Sequence, residues 1–208
     1  MGILERRERQ KAELREQILE ASRAIVLAQG FGALSMRKIA EAIEYSPATI
    51  YLHFASRDHI ALQLVREGFE QLLAAVAPAR HVSDPLERLR DIGRRYVRFG
   101  LENPEAYRLI FMESPEFSSE LFRAQLDAPE EPAGRAFAVL ADTVRDLIER
   151  GVFRATLDVD VTAEVLWCGV HGIVSLRLAC GSNAMTLANS ECLTEEMLQM
   201  AARGLVAT

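Results

Sequence analysis

Two helix-start signals, Ser35 and Ser46-Pro47, stand eleven residues apart, and that spacing leaves room only for a short helix, a tight turn and the beginning of another helix. Serine accepts a hydrogen bond from an N–H of the first helical turn, and proline at the first helical position gives up an N–H that has no intrahelical partner anyway. The first short helix runs from Met36 to about Ile43, and the turn occupies Glu44-Tyr45. The second is expected to start at Ser46 and to carry Pro47-Ala48-Thr49-Ile50-Tyr51-Leu52-His53-Phe54. A longer helix precedes them, from about Arg9 to Gln29, with Leu14, Ile18, Ala21, Ile25 and Ala28 in one apolar stripe. Gly30 is placed to close that helix in a left-handed conformation, and Phe31 follows as a core plug.

Helical period continues to the end of the chain, and no segment alternates over a strand's length. Arg57-Asp58 opens a helix that reaches about Ala77 and stops at Pro78. Asp84-Pro85 starts another through about Leu101, and Asn103-Pro104 starts one toward Met112. The stretch Glu113–Pro132 holds Pro115, Pro129 and Pro132 and reads as a loop or a broken helix. A helix follows from about Ala133 to Arg150 and ends at Gly151. Asp158 or Asp160 caps an apolar segment that runs to Cys180, and a last helix covers Ala188 to Gly204 or starts at Thr194. The fold class is therefore all-α. Residues 1–57 form a three-helix N-terminal domain, and residues 58–208 form a larger helical domain.

Charge decides little until it is divided along the chain. The formal net charge is −6, but nearly all of the acidic excess lies beyond Asp58, which leaves a small, relatively basic head on an acidic body. The charged N-terminus is not a secretory signal. The most apolar stretch, Val161–Cys180, contains Glu164, His171 and Arg177, so it is expected to be a buried helix and not a membrane span. Cys168, Cys180 and Cys192 are odd in number and lack CxxC spacing, which argues against a disulfide framework or a zinc site and for a reducing cytoplasm.

The three N-terminal helices meet the demands of a helix-turn-helix. Ile39, Ala40 and Ile43 give the second helix an inner face, and Ile50 and Phe54, four apart, do the same for the third. Ser46, Ala48 and Thr49 leave free N–H groups and short side chains at the third helix's start, where the helix dipole favours a phosphate. Tyr51 and His53 project to the flanks and can donate to phosphates, and Arg57 can anchor the adjoining stretch of strand. The N-terminal stretch Glu5–Glu16 alternates in sign, and a solvated helical end is favoured over an arm that follows the DNA backbone.

The order of these residues also resembles a family. Leu34-Ser35-x-Arg37-x-Ile39-Ala40, followed by Ser46-Pro47-Ala48-Thr49-Ile50-Tyr51-x-His53-Phe54-x-Ser56-Arg57, is similar to the DNA-binding domain of TetR-type transcriptional regulators. Asn103-Pro104-x-x-Tyr107-Arg108-Leu109-x-Phe111 and Trp167-x-x-x-His171-Gly172 resemble the C-terminal domain of one subgroup, named for its Trp-His-Gly pattern. The resemblance implies phosphate contacts from Ser35, Thr49, Tyr51, His53 and Arg57, and base or groove contacts from Arg37, Ser46, Pro47, Ala48 and Leu52. It implies a regulator, first of all a repressor, that binds a double-stranded palindromic operator as a homodimer and is released by a small apolar or aromatic effector. One position departs from the pattern: the turn residue that is commonly glycine is Glu44, where positive φ is mildly strained for an L-residue.

In the larger domain, Tyr96, Phe99, Tyr107, Phe111, Met112, Phe137, Trp167 and His171 are the expected effector-binding residues, with ordinary core as the competing reading. Trp167 and His171 lie four apart on one helix face and read first as core residues. No carboxylate follows at the spacing of a triad or metal site, and no phosphate loop, nucleophile elbow or HExxH is present, so neither catalysis nor a cofactor is expected. The stripes containing Val165, Gly169, Gly172 and Leu176 and, on the last helix, Met197 and Met200 are the expected dimer face. A helical adaptor that has lost operator recognition is the alternative, with Glu44 as its best support.

Overall fold

In a computed structural model the described residues are 2–112, 128–180 and 189–207. Nine α-helices occur among them: α1 Ile3–Gln29, α2 Met36–Ala42, α3 Pro47–Tyr51, α4 Arg57–Val76, α5 Pro85–Glu102, α6 Pro104–Phe111, α7 Pro132–Glu149, α8 Val159–Cys180 and α9 Ser190–Leu205. Two 3-10 turns, Phe31–Ala33 and Ala77–His81, were not anticipated. The described residues divide into two compact units. One holds residues up to Gly68 together with those from Arg108 to Met112. The other holds Phe69–Tyr107 and the described residues from Ala128 on. The proposed loop at Glu113–Pro132 falls mostly outside the described residues.

The first unit carries more of α4 than a boundary after Arg57 would give it. Ile60, Ala61, Leu64 and Val65 on α4 are buried, and Arg23 on α1 reaches Glu67 at 3.0 Å, so the first three turns of α4 belong with α1. Helix α1 also begins at Ile3, six residues before the expected Arg9. The Gly2 N–H donates to the Glu5 carboxylate at 2.8 Å, and Arg9 and Glu13 are within 3.6 Å one turn apart, so charged side chains support a segment with no apolar stripe. Ile18, Leu19, Ser22 and Val26 are the buried positions of α1, and the Ser22 hydroxyl donates to the Ile18 carbonyl at 2.6 Å.

The helix ends follow the sequence signals with two corrections. Gly30 has φ 76° but ψ 166°, an extended conformation open essentially to glycine alone and not the expected left-handed helical cap. Helix α3 stops at Tyr51, not at Phe54. The Leu52 N–H bonds to the Thr49 carbonyl at 3.2 Å and the His53 N–H to that of Ile50 at 2.9 Å, both three residues back, so the chain tightens. That tightening drops Phe54 into the core, where it is 1% exposed.

In the second unit α5 packs against α7, α8 and α9 and is the central helix. Glycine makes this possible at two points. A Cβ on Gly93 would lie 2.6 Å from a Leu198 methyl, and one on Gly100 would lie 2.5 Å from Val174 and 2.9 Å from the Tyr107 ring. Arg88 joins α5 to Asp146 of α7 at 3.1 Å, and Arg94 joins it to Glu195 of α9. Gly151 ends α7 with φ 70°, and the Val152 N–H bonds to the Leu147 carbonyl at 2.9 Å. Asp158, not Asp160, caps α8, by accepting the Val161 N–H at 2.9 Å. Asn189 caps α9 by accepting the Cys192 N–H. An isolated antiparallel bridge between Phe153 and Val206 ties the chain's end to the segment after α7, a pairing too short for any sequence period to reveal.

Helix α8 differs from the buried helix its composition suggests. It is long and apolar enough to cross a membrane by length and composition, and only 28% of its most apolar window is buried. Val161, Val165 and Leu176 are exposed. Its inner residues Ala163, Leu166, Val170 and Val174 pack into the helical unit.

Candidate functional site

The chemistry of the first unit gathers at the start of α3. Ser46 takes extended backbone angles and its Oγ accepts the Thr49 N–H at 3.2 Å; the two hydroxyls also lie 2.9 Å apart. This cap satisfies the Thr49 N–H, the Ile50 N–H bonds to the Ser46 carbonyl at 3.4 Å and Pro47 has no N–H, so Ala48 carries the first-turn amide without an intrahelical partner, at the positive end of the helix. Ser46, Pro47 and Ala48 are exposed, Thr49 is half-buried, and Ile50 beneath them is fully buried. Tyr51 and Leu52, side by side beyond the tip, are 57% and 79% exposed. Arg37 stands exposed on α2, and Ser35 caps that helix by accepting the Lys38 N–H at 3.2 Å. Arg57 is exposed at the start of α4, 3.3 Å from Asp58.

His53 is held from behind. Arg15 on α1 donates to the His53 carbonyl at 3.3 Å, and its guanidinium sits over the Phe54 ring, 4.1 Å from the centroid. Burial lowers the pKa of His53 first, and the positive charges of Lys11 and Arg15 lower it further. Sequence reasoning left Arg15 and Lys11 out of the site. Their signal was the seven-residue spacing to Ser22 and Ile18, which puts all four on one face of α1.

Glu44 has the positive φ expected of it, 58°. It closes α2 as glycine does elsewhere: the Tyr45 N–H reaches back to the Ala40 carbonyl at 2.9 Å. It lines a groove of about 770 Å³ with Glu13, Glu16, Gln17 and Glu20 of α1, over a floor of Ala21, Ala24, Ala42 and Ile43. None of the ten expected DNA-contact residues borders that groove.

A second cluster lies within the larger unit. Trp167 Nε1–H donates to Tyr96 Oη at 3.0 Å, Tyr96 Oη is 3.2 Å from Tyr107 Oη, and Tyr107 Oη is 2.6 Å from His171 Nδ1. The Tyr107 and His171 rings stack with centroids 5.6 Å apart. Three helices, α5, α6 and α8, thus meet at one hydrogen-bonded group. Burial pushes both phenol pKa values up from the ordinary 10, well above it for Tyr96, and lowers that of His171. The other expected effector residues do not join this group. Phe99 is buried but lines a separate groove of about 350 Å³ with Gln71, Arg95 and Arg98, Phe137 is half-buried on α7, and Phe111 and Met112 belong to the first unit.

The expected dimer residues are unevenly used. Val165, Leu176 and Met200 are exposed. Gly169 is covered within the chain, since a Cβ there would lie 2.8 Å from the Met197 sulfur, whereas Gly172 faces open space.

Comparison with known proteins matches both units. Residues 18–64 match the family described as bacterial regulatory proteins, tetR family, and residues 89–201 match the tetracyclin repressor-like C-terminal domain. The chain is 31% identical over 140 residues to the HTH-type transcriptional regulator TcmR of Streptomyces glaucescens, covering 65% of this chain and 62% of that protein. It is 29% identical over 192 residues to the HTH-type transcriptional repressor KstR of Rhodococcus jostii, covering 89% and 82%. Among solved structures, FadR of Bacillus subtilis in complex with stearoyl-CoA superposes with a TM-score of 0.71 at 16% identity, covering 91% of this chain and 98% of that one.

Proposed function

The chain belongs to the TetR family of bacterial regulatory proteins, and from that premise we propose that it is an effector-released repressor that binds a palindromic operator as a homodimer. It is a DNA-binding transcriptional regulator. The capped, outward-facing start of α3, with Ser46, Pro47, Ala48 and Thr49 at its tip and Tyr51, His53 and Arg57 around it, carries the proposal. Tyr51, His53, Arg57, Ser35 and Thr49 would hold phosphates, while Arg37 and the tip with Leu52 would read the groove. A tip this small reads few bases, so specificity must draw on Arg37, on dimer spacing and on DNA shape.

One recognition helix cannot specify a genomic site, and a two-fold dimer doubles its reading at a spacing of roughly 34–36 Å. The exposed apolar residues of α8 and α9, Val161, Val165, Leu176 and Met200, support a face that a second copy covers. The Tyr96–Tyr107–His171–Trp167 group supports an effector site in the larger unit, for an apolar or aromatic molecule with a polar group to meet it. The effector shifts the protein only by its differential affinity for the DNA-competent and DNA-incompetent conformers. The N-terminal unit, residues up to Gly68, would bind DNA, and the larger helical unit would bind the effector and form the dimer, in the cytoplasm. Relatives of the chain are regulators, and no catalysis is proposed.

Selection of bound duplexes from a random pool, followed by gel-shift titration, tests this reading. The wild type should enrich a palindrome and bind it more weakly as salt rises, and Tyr51→Ala should weaken it further. Equal, poor retention of selected and random duplexes by the wild type would sink the proposal.

A further inference from the structure

From Lys11 to Glu20 the charges of α1 are sorted by face. Glu13, Glu16 and Glu20 line the groove with Glu44. Lys11 and Arg15 lie elsewhere: each is seven residues before a buried position of α1, Ile18 and Ser22, so the two cations continue the helix's packed face toward its N-terminus. Arg15 uses that position to hold the His53 carbonyl and cover Phe54. Lys11, one turn earlier on the same face, is Arg15's neighbour, with Cβ atoms about 5–6 Å apart on a regular helix. Its charge reaches His53, and it is exposed, with no carboxylate within ion-pair distance among the described residues. A cation fixed by the register of a packed helix, beside an imidazole at the flank of α3 and not neutralised by the protein, is suited to an anion from outside.

We propose that Lys11 is a contact to the DNA backbone, sharing with His53 a phosphate at the flank of α3. This inference rests on the reading of the chain as a DNA-binding regulator. Phosphate contacts add affinity without reading sequence, and each releases counterions, so Lys11 should contribute to the salt dependence of binding and not to the choice of site.

The test compares full-length wild type, Lys11→Gln and Lys11→Arg on two duplexes of equal length, one recovered from a random pool by the wild type and one of random sequence. Affinity is measured across a potassium chloride series. Lys11→Gln should weaken binding by the same factor on both duplexes and reduce the slope of log affinity against log salt by about 0.9, and Lys11→Arg should restore both. Lys11→Gln with wild-type affinity and slope would overturn the proposal, as would a loss confined to the recovered duplex, which would mark a base contact. A wild type without salt-dependent binding to either duplex would overturn the regulator reading and this inference with it. The two failures are told apart because the wild type alone decides the first.

Discussion

Tyr107 Oη lies 2.6 Å from His171 Nδ1, and this contact is the shortest in a hydrogen-bonded group that joins three helices. Indole N–H can only donate, so Trp167 gives its proton to Tyr96 Oη. Tyr96 can then donate to Tyr107 or to His171 Nδ1, 3.2 Å away, and where Tyr107 donates to the Nδ1 of a neutral imidazole the His171 proton sits on Nε2. Removing the closest donor with Tyr107→Phe should cost about 1–3 kcal/mol, because it strips a partner from a part-buried nitrogen. Chemical denaturation checks this. The same group gives stability a pH dependence. The folded-state pKa of His171 lies below its ordinary 6.5 because burial disfavours the cation, so the unfolded chain binds the proton more readily. The stability it protects is complete above about pH 6.5 and is lost as pH falls through the lower folded-state value. His171→Gln should flatten stability against pH in that window; an unchanged profile would show that other groups control it.

Ser46 has two duties that different substitutions separate. As the cap of a five-residue helix it satisfies the Thr49 N–H, and Ser46→Ala should cost about 1 kcal/mol of stability and weaken DNA binding as well. Ser46→Asp keeps a capping oxygen and suits the helix dipole, so thermal stability should return to that of the wild type or above it. Yet a carboxylate at that tip faces DNA phosphates, and binding should fall below that of Ser46→Ala. If Ser46→Asp bound DNA as well as the wild type, α3 would not approach the backbone with its N-terminus.

Much of the fold was legible because its signals are local. Ser35, Ser46-Pro47, Asp84-Pro85 and Gly151 mark helix ends by chemistry within four residues, and the structure uses each of them at that place. The end of α3 was not legible, because Leu52 and His53 continue a helical pattern locally and the tightening of the chain there goes with the burial of Phe54 against residues distant in sequence. The Tyr96–Tyr107–His171 group joins residues up to 75 positions apart, so the sequence could name its members as aromatic candidates but not sort them from Phe99, Phe111, Met112 and Phe137. The role of Arg15 was hidden for the same reason: its partner is 38 residues away.

Glu44 and Gly151 occupy the same position in two helix-ending motifs, with φ 58° and 70°. In both, the next N–H bonds to a carbonyl five residues back. Glycine takes this conformation freely, whereas an L-residue pays about 1–2 kcal/mol in steric strain, partly offset by glycine's greater chain entropy when unfolded. Glu44→Gly should therefore stabilise the chain by about 0.5–1 kcal/mol. It also removes one of four carboxylates from a groove that no DNA-contact residue borders, so operator affinity should change little. Denaturation midpoints and gel shifts check both parts. A large gain in affinity would mean that Glu44 repels the DNA backbone after all.

The exposed apolar residues of α8 and α9 make the last prediction the most direct. Val165 and Met200 are 64% and 68% exposed, and the inner faces of both helices are already filled, Leu166 and Val174 by the core and Met197 by Gly169. Substituting outer residues should therefore leave the fold of one chain intact. If a second copy covers this face, Val165→Glu with Met200→Glu places two carboxylates in each protomer's share of the interface and two more opposite them. Burying unpaired charge there costs several kcal/mol, enough to move a micromolar dimer to monomer. Light scattering after size exclusion should show the wild type at twice the 23.2 kDa chain mass and the double variant at that mass, with far-UV circular dichroism unchanged. Affinity for a palindrome should fall with it, toward that for a single half-site, because the two recognition helices would no longer be linked. A monomeric wild type would leave the exposed face without its proposed partner and remove the dimer from the functional reading.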